Sequence, residues 1–194
     1  MDRECRQMRS VPSMFDTREE NDVLYIEGYF SVFNTNYDLW PGASESVAPG
    51  AFSKTLGGDI RALIDHETRL VLGRNKAGTL ELKEDSHGLW GRVSINRNDQ
   101  DAMNLYERVK RGDVTQCSFG FDIVDQDVEY QDGEPTVWII KRVRLYEVSV
   151  VPFPAYEDTG VSVRRREFAE LARRKTEAWK AKARARLEKT HGTA

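Results

Sequence analysis

The sequence predicts an α+β fold: a mainly antiparallel β barrel with peripheral helices, followed by a charged C-terminal helix. Segments rich in β-branched and aromatic residues outnumber helical ones, most of them are short, and their order is not the regular strand–helix alternation that builds a parallel sheet. At 194 residues, 39% hydrophobic and 31% charged, the chain can bury one core and still carry a tail, and it has no apolar run of membrane-spanning length.

The division reads as an N-terminal arm over 1–21, a β-barrel domain over 22–160 and a basic helical tail over 161–194. The arm mixes acidic and basic residues and lacks the apolar centre of a secretory signal. DVLYIEGYFSVF, from Asp22 to Phe33, predicts a strand bent at Gly28. The following NTNYDLWPGASESVAPG is rich in turn formers and reads as a loop, and AFSKTL offers a short helix. IRALIDH, GTLELKED and HGLWGRVSI predict three short strands, the last two joined as a hairpin around Asp85 to Gly88. From Asp99 to Arg111, Ala102, Leu105, Tyr106 and Val109 recur at helical spacing, with acidic residues early, basic residues late and Gly112 just beyond. VTQCSFGFDIVDQDVEYQ and TVWIIKRVRLYEVSVVP predict two long strands joined through QDGEP. Pro152 and Pro154 end the second, and Arg164 to Lys189 are dominated by helix formers.

Charge divides along the same boundary. Residues 161–194 hold 11 Lys/Arg against 4 Glu, and the preceding residues hold 18 basic against 28 acidic side chains. A basic segment of this kind suits an acidic partner, nucleic acid or the acidic body itself. Cys5 and Cys117 lack the paired spacing of a zinc or redox site, which fits a reducing compartment.

Three residues stand out chemically. His66 closes the apolar run ALIDH, so a core strand would hold its backbone while the ring faces a cleft, as a general base requires; a strand-end histidine satisfied by a carbonyl is the plainer reading. Ser118 in QCSFGF would share a face with Gly120, whose missing side chain leaves room for a substrate backbone, although an ordinary polar-face serine has the same pattern. Glu147 lies among Leu145, Tyr146, Val148 and Val150, where a carboxylate needs a partner: a histidine N–H, or Arg142 or Arg144. His66 with Asp65 or His87 lacks metal-ligand spacing, and LGRNKAG matches no phosphate loop, so neither metal nor cofactor is expected.

Taken in order, LIDHETRLVLGR, GLWGRVSI, the helix ending VKRGDV, QCSFGF and LYEVSVVPFPAY resemble the prohead maturation proteases of tailed bacteriophages, over about 120 residues from Tyr29 to Tyr156. That family in turn resembles the herpesvirus assemblin-type serine proteases, which implies a β barrel ringed by helices. The resemblance implies Ser118 as nucleophile, His66 as base and Glu147 as third member, with Asp65 and Asp122 as alternatives for the third place. It also implies cleavage of the scaffold segment of the major capsid protein, and of the chain itself, inside a procapsid assembling in the host cytoplasm. The herpesvirus likeness raises a homodimer; no membrane is expected, and nucleic acid is disfavoured by the acidic body. A catalytically inactive, scaffold-binding assembly protein is the competing reading.

Overall fold

The computed structural model describes residues 7–12, 15–130, 135–153 and 158–191. These fall into two units, one ending at Tyr156 and one beginning at Glu157. The predicted turn at QDGEP, Pro154 and Cys5 lie wholly or largely outside the described residues.

The first unit holds β1 (Gln7–Pro12), β2 (Asp16–Glu20), β3 (Val23–Val32), β4 (Tyr37–Trp40), β5 (Ala43–Val47), β6 (Arg61–Ile64), β7 (Glu67–Arg74), β8 (Leu80–Glu84), β9 (Gly88–Ile95), α1 (Gln100–Arg111), β10 (Gln116–Glu129) and β11 (Thr136–Val151). A seven-stranded sheet runs β1-β10-β11-β5-β4, with β6 also on β11 and β7 on β6; a second sheet runs β2-β3-β9-β8. The α+β class therefore holds. Seven of the nine pairings among the described strands are antiparallel, as expected, but the strands form two sheets and not one barrel, and the larger is mixed because β11 runs parallel to both β5 and β6.

Several local expectations are met. Asp99 caps α1 by accepting from the N–H groups of Asp101 and Ala102, Gly112 ends it at φ 85°, and the four anticipated residues Ala102, Leu105, Tyr106 and Val109 are its buried ones. The β8–β9 hairpin turns where predicted, with Asp85 Oδ1 accepting from the N–H groups of His87 and Gly88. β10 and β11 pair over most of their length.

Others are overturned. Residues 1–21 were expected as an arm, yet β1 pairs along β10 and β2 along β3. NTNYDLWPGASESVAPG is not a loop but contains β4 and β5, and all five residues of β5 are buried. AFSKTL forms successive turns, not a regular helix, with Ser53 N–H bonded to Gly50 O and Thr55 N–H to Phe52 O, three residues back in place of four. The Glu84 carboxylate accepts from Gly50 and Phe52 N–H at 2.7 and 2.8 Å, and Thr55 Oγ1 accepts from Leu145 N–H at 2.9 Å. The core joins the two sheets through Phe30, Phe33, Phe52, Phe119 and Phe121, with Phe52 edge-on to Phe119 at 5.5 Å.

The second unit is α2 (Asp158–His191), whose described surface residues include the exposed Trp179. Its charge pairs, Arg164–Glu167, Arg174–Glu170 and Lys180–Glu177, lie three or four residues apart on the helix. No helix among the described residues is long and apolar enough to cross a membrane.

Candidate active site

The site forms where β10, β11 and the β6–β7 hairpin meet. Cys117, Phe119 and Phe121 on β10 point into the core, so Ser118 and Gly120 take the other face. Across the ladder Ser118 lies opposite Ser149, and Gly120 opposite Glu147.

A break in register puts Glu147 on that face. Gly120 pairs with Glu147 but Phe121 pairs with Leu145, leaving Tyr146 as an extra residue on β11. Before this bulge Leu145 shares the core face with Phe121; after it Val148 and Val150 take the core face opposite Phe119 and Cys117. Strict alternation would have put Leu145 and Glu147 on one side. The bulge separates them.

His66 arrives from a hairpin turn. β6 pairs parallel to β11, with Arg61 opposite Glu147 and Leu63 opposite Ser149. Ile64 pairs with Glu67, so Asp65 and His66 are the two residues of the connection, at φ 50° and 60°. Two positive φ values are what a type I′ hairpin turn demands. His66 thus sits in the turn, not at the strand end the sequence suggested, in a conformation that β-carbon-bearing residues seldom adopt.

From there the ring meets Glu147: Nδ1 donates to Oε1 at 2.8 Å. The second oxygen, Oε2, accepts from Ser149 Oγ at 2.6 Å. A carboxylate can only accept, so the proton of the neutral imidazole is on Nδ1 and Nε2 carries the lone pair. Both His66 Nε2 and Ser118 Oγ are buried without a hydrogen-bond partner among the described residues. The two atoms do not hydrogen-bond each other in this structure, although one can accept and the other donate.

Of the anticipated residues, His66 and Glu147 are joined by a hydrogen bond, and Ser118 lies across the ladder from Ser149, the other donor to Glu147. The role read for Gly120 changes. A β-carbon there would lie 2.4 Å from Glu147 Oε1, so its missing side chain makes room for the carboxylate and not for a substrate backbone. Ser118 is fully buried rather than on an open polar face. The alternatives for Glu147's partner are otherwise engaged: Arg144 lies 5.1 Å from the Tyr146 ring and Arg142 is 4.0 Å from Asp125. Asp122 accepts from Tyr146 Oη at 2.5 Å, and Asp65 is exposed. His87 packs edge-on to Tyr29 at 4.5 Å. Among the described residues no group of three or more His, Cys, Asp or Glu is disposed to hold a metal ion. Beside Glu147 opens a cavity of about 650 Å³, lined in part by Lys54, Thr55, Arg61, Leu63 and Arg144.

Ser149 is the participant that sequence reasoning missed. Its signal was present as the second residue after Glu147 in LYEVSVV, but only the bulge shows that the two share a face away from the valines.

The model of the caudovirus prohead serine protease family matches residues 13–174. The chain belongs to that family. It is 32% identical over 142 residues to the prohead protease of Enterobacteria phage HK97, covering 70% of this chain and 58% of that protein. It is 27% identical over 146 residues to the prohead protease of Escherichia phage T5, covering 74% and 64%. The chain thus spans about three fifths of the length of the curated relatives it matches. Its fold is similar to that of the bacteriophage T4 capsid assembly protease, gp21, with a TM-score of 0.53 at 9% identity over 77% of this chain and 98% of that one.

Proposed function

We propose that this chain is a serine endopeptidase of procapsid maturation, with Ser118 as nucleophile, His66 as general base and Glu147 as the group that orients and charges the imidazole. The observation that carries the reading is the 2.8 Å Nδ1–Oε1 bond on the face that Ser118 shares, because it leaves Nε2 free to accept a proton there. In the reaction, Nε2 takes the hydroxyl proton of Ser118 as Oγ attacks a peptide carbonyl. The imidazolium formed is stabilised by Glu147, then passes the proton to the leaving amine. Water, deprotonated by the same nitrogen, releases the acyl group. Since Ser118 Oγ is buried, a peptide reaches it only after the groups over it shift. Hydrogen bonds of this kind shorten in the substrate complex.

The substrate that family membership favours is the scaffold segment of the major capsid protein of the same phage, cut inside the procapsid in the host cytoplasm, with self-cleavage and pairing of two copies as further parts of the proposal. Co-expression with that capsid protein, followed by mass spectrometry of the assembled particles, tests it. The wild-type chain is expected to yield capsid subunits shortened at the N-terminus, and Ser118→Ala full-length ones. Trimming by Ser118→Ala would remove the nucleophile assignment. Full-length subunits with both chains, each bound in the particle, would favour a catalytically silent assembly factor.

A further inference from the structure

A glutamate on a strand reaches its partner through three torsions, the last of them soft, so a single bond to imidazole does not fix the plane of the carboxylate. Here Glu147 is 4% exposed and Ser149 is fully buried, so water is a poor substitute for a missing protein donor. The carboxylate has two donors among the described residues. Oε1 takes His66 Nδ1–H at 2.8 Å and Oε2 takes Ser149 Oγ–H at 2.6 Å. Arg61, opposite Glu147 on β6, bonds Asp59 at 3.3 Å. The third restraint is steric: the carboxylate fills the space a side chain at 120 would take, with Oε1, Cδ and Cγ at 2.4, 3.1 and 3.2 Å from where the β-carbon would be. The bulge at Tyr146 serves both residues, since it turns Glu147 and Ser149 together onto the face of Ser118.

We infer that Ser149 is a positioning residue of this site, whose hydroxyl holds the Glu147 carboxylate in the orientation that presents Oε1 to the His66 N–H. The inference rests on the proposed roles of Ser118, His66 and Glu147. A short bond from a hydroxyl to an ionised carboxylate is among the stronger neutral–charged bonds in proteins. It acts on the base indirectly. When the imidazole is neutral, the carboxylate leans on Ser149 more than when the imidazolium neutralises it. Loss of the hydroxyl therefore destabilises the unprotonated pair more than the protonated one, and the pair holds its proton to higher pH. The side chains bonded to this carboxylate are His66 and Ser149; Lys54, Asp59, Arg61 and Arg144 line the cavity beside it, with Arg61 turned to Asp59.

The test is covalent labelling of the whole chain by diisopropyl fluorophosphate, followed by intact mass across pH 5 to 9. Ser118 Oγ forms a bond to phosphorus, fluoride leaves, and the hydroxyl proton passes to His66 Nε2. Ser149→Ala, smaller than the native residue, is expected to lower the labelling rate roughly 10- to 100-fold, the range set by a hydrogen bond to a charged group. Its acid-side midpoint should move to higher pH by about half a unit or more. Ser149→Thr keeps the hydroxyl and should keep the wild-type midpoint. The midpoint decides the matter. If it is unchanged in Ser149→Ala, Ser149 is only a packing residue, whatever the rate or the melting temperature. If the wild-type chain is not labelled, or Ser118→Ala is labelled as fast, the reading of Ser118 and His66 fails instead.

Discussion

Glu147 separates the candidates for the third catalytic position at the scale of single residues. Glu147→Gln keeps the shape of the side chain but can no longer accept from Nδ1–H at full charge, and it offers an amide that favours the wrong tautomer. Peptide cleavage should fall by roughly 10³- to 10⁴-fold in kcat, as for the acidic member of other triads. Asp65→Asn and Asp122→Asn should stay within about 3-fold of wild type in the same capsid-protein assay, because one side chain is exposed and the other is bonded to Tyr146. A large loss from either, with Glu147→Gln active, would move the third role. Gly120→Ala is a steric counterpart. Its methyl would fall 2.4 Å from Oε1, so cleavage should drop at least about 10-fold as the carboxylate is pushed off His66. Circular dichroism and melting would show whether the fold survives the same change.

Among the elements, β1 and β5 are tied by a buried ion pair. Arg9 Nε and Nη2 both donate to Glu45, which has no solvent exposure, and the guanidinium carbon lies 5.7 Å from the Phe121 ring. Removing one partner of such a pair strands the other, so Arg9→Ala should cost roughly 3–5 kcal/mol in denaturant unfolding. Because β1 lies along β10 from Gln116 to Phe121, that loss should also reduce cleavage at temperatures where the whole domain stays folded. Tyr37 on β4 gives a pH test. Burial pushes its phenol up to about 12 from 10.0, so its contribution to stability is complete below about pH 10 and is lost as pH rises through about 12. Tyr37→Phe should therefore raise the midpoint of alkaline unfolding; an unchanged midpoint would mean that the phenol does not control that limb.

For the whole molecule, the separation of charge is the feature that a fold alone does not use. Residues 161–194, most of them on a helix of 34 residues, carry the +7 balance, whereas the residues before them have an excess of acidic groups. Deleting 164–194 should leave peptide cleavage intact and reduce incorporation into procapsids, with the shortfall larger at low salt, where attraction of the basic helix to an acidic capsid or scaffold surface is strongest. Equal incorporation of the full and shortened chains, measured by quantitative mass spectrometry of purified particles, would assign the helix no part in packaging.

What the sequence alone could decide was whatever depends on near neighbours. Helix α1 with its cap and buried stripe, the β8–β9 turn and the pairing of β10 with β11 follow from spacing, Asp and Gly chemistry, and alternation. Glu147 also stands out locally, as a carboxylate among apolar residues, whereas His66 and Ser118 are singled out by the family resemblance and not by their surroundings. β5 was hidden, since ASESV reads as polar loop until Arg9, thirty-six residues earlier, arrives to neutralise Glu45. AFSKTL closes its turns three residues back, and it is held by Glu84 and Leu145 from segments remote in sequence. Above all, local alternation puts Glu147 beside Leu145, and only the register against β10 turns it toward His66 and Ser149. Which face a side chain takes is fixed by the partner strand when a bulge intervenes, and a partner strand is a tertiary fact.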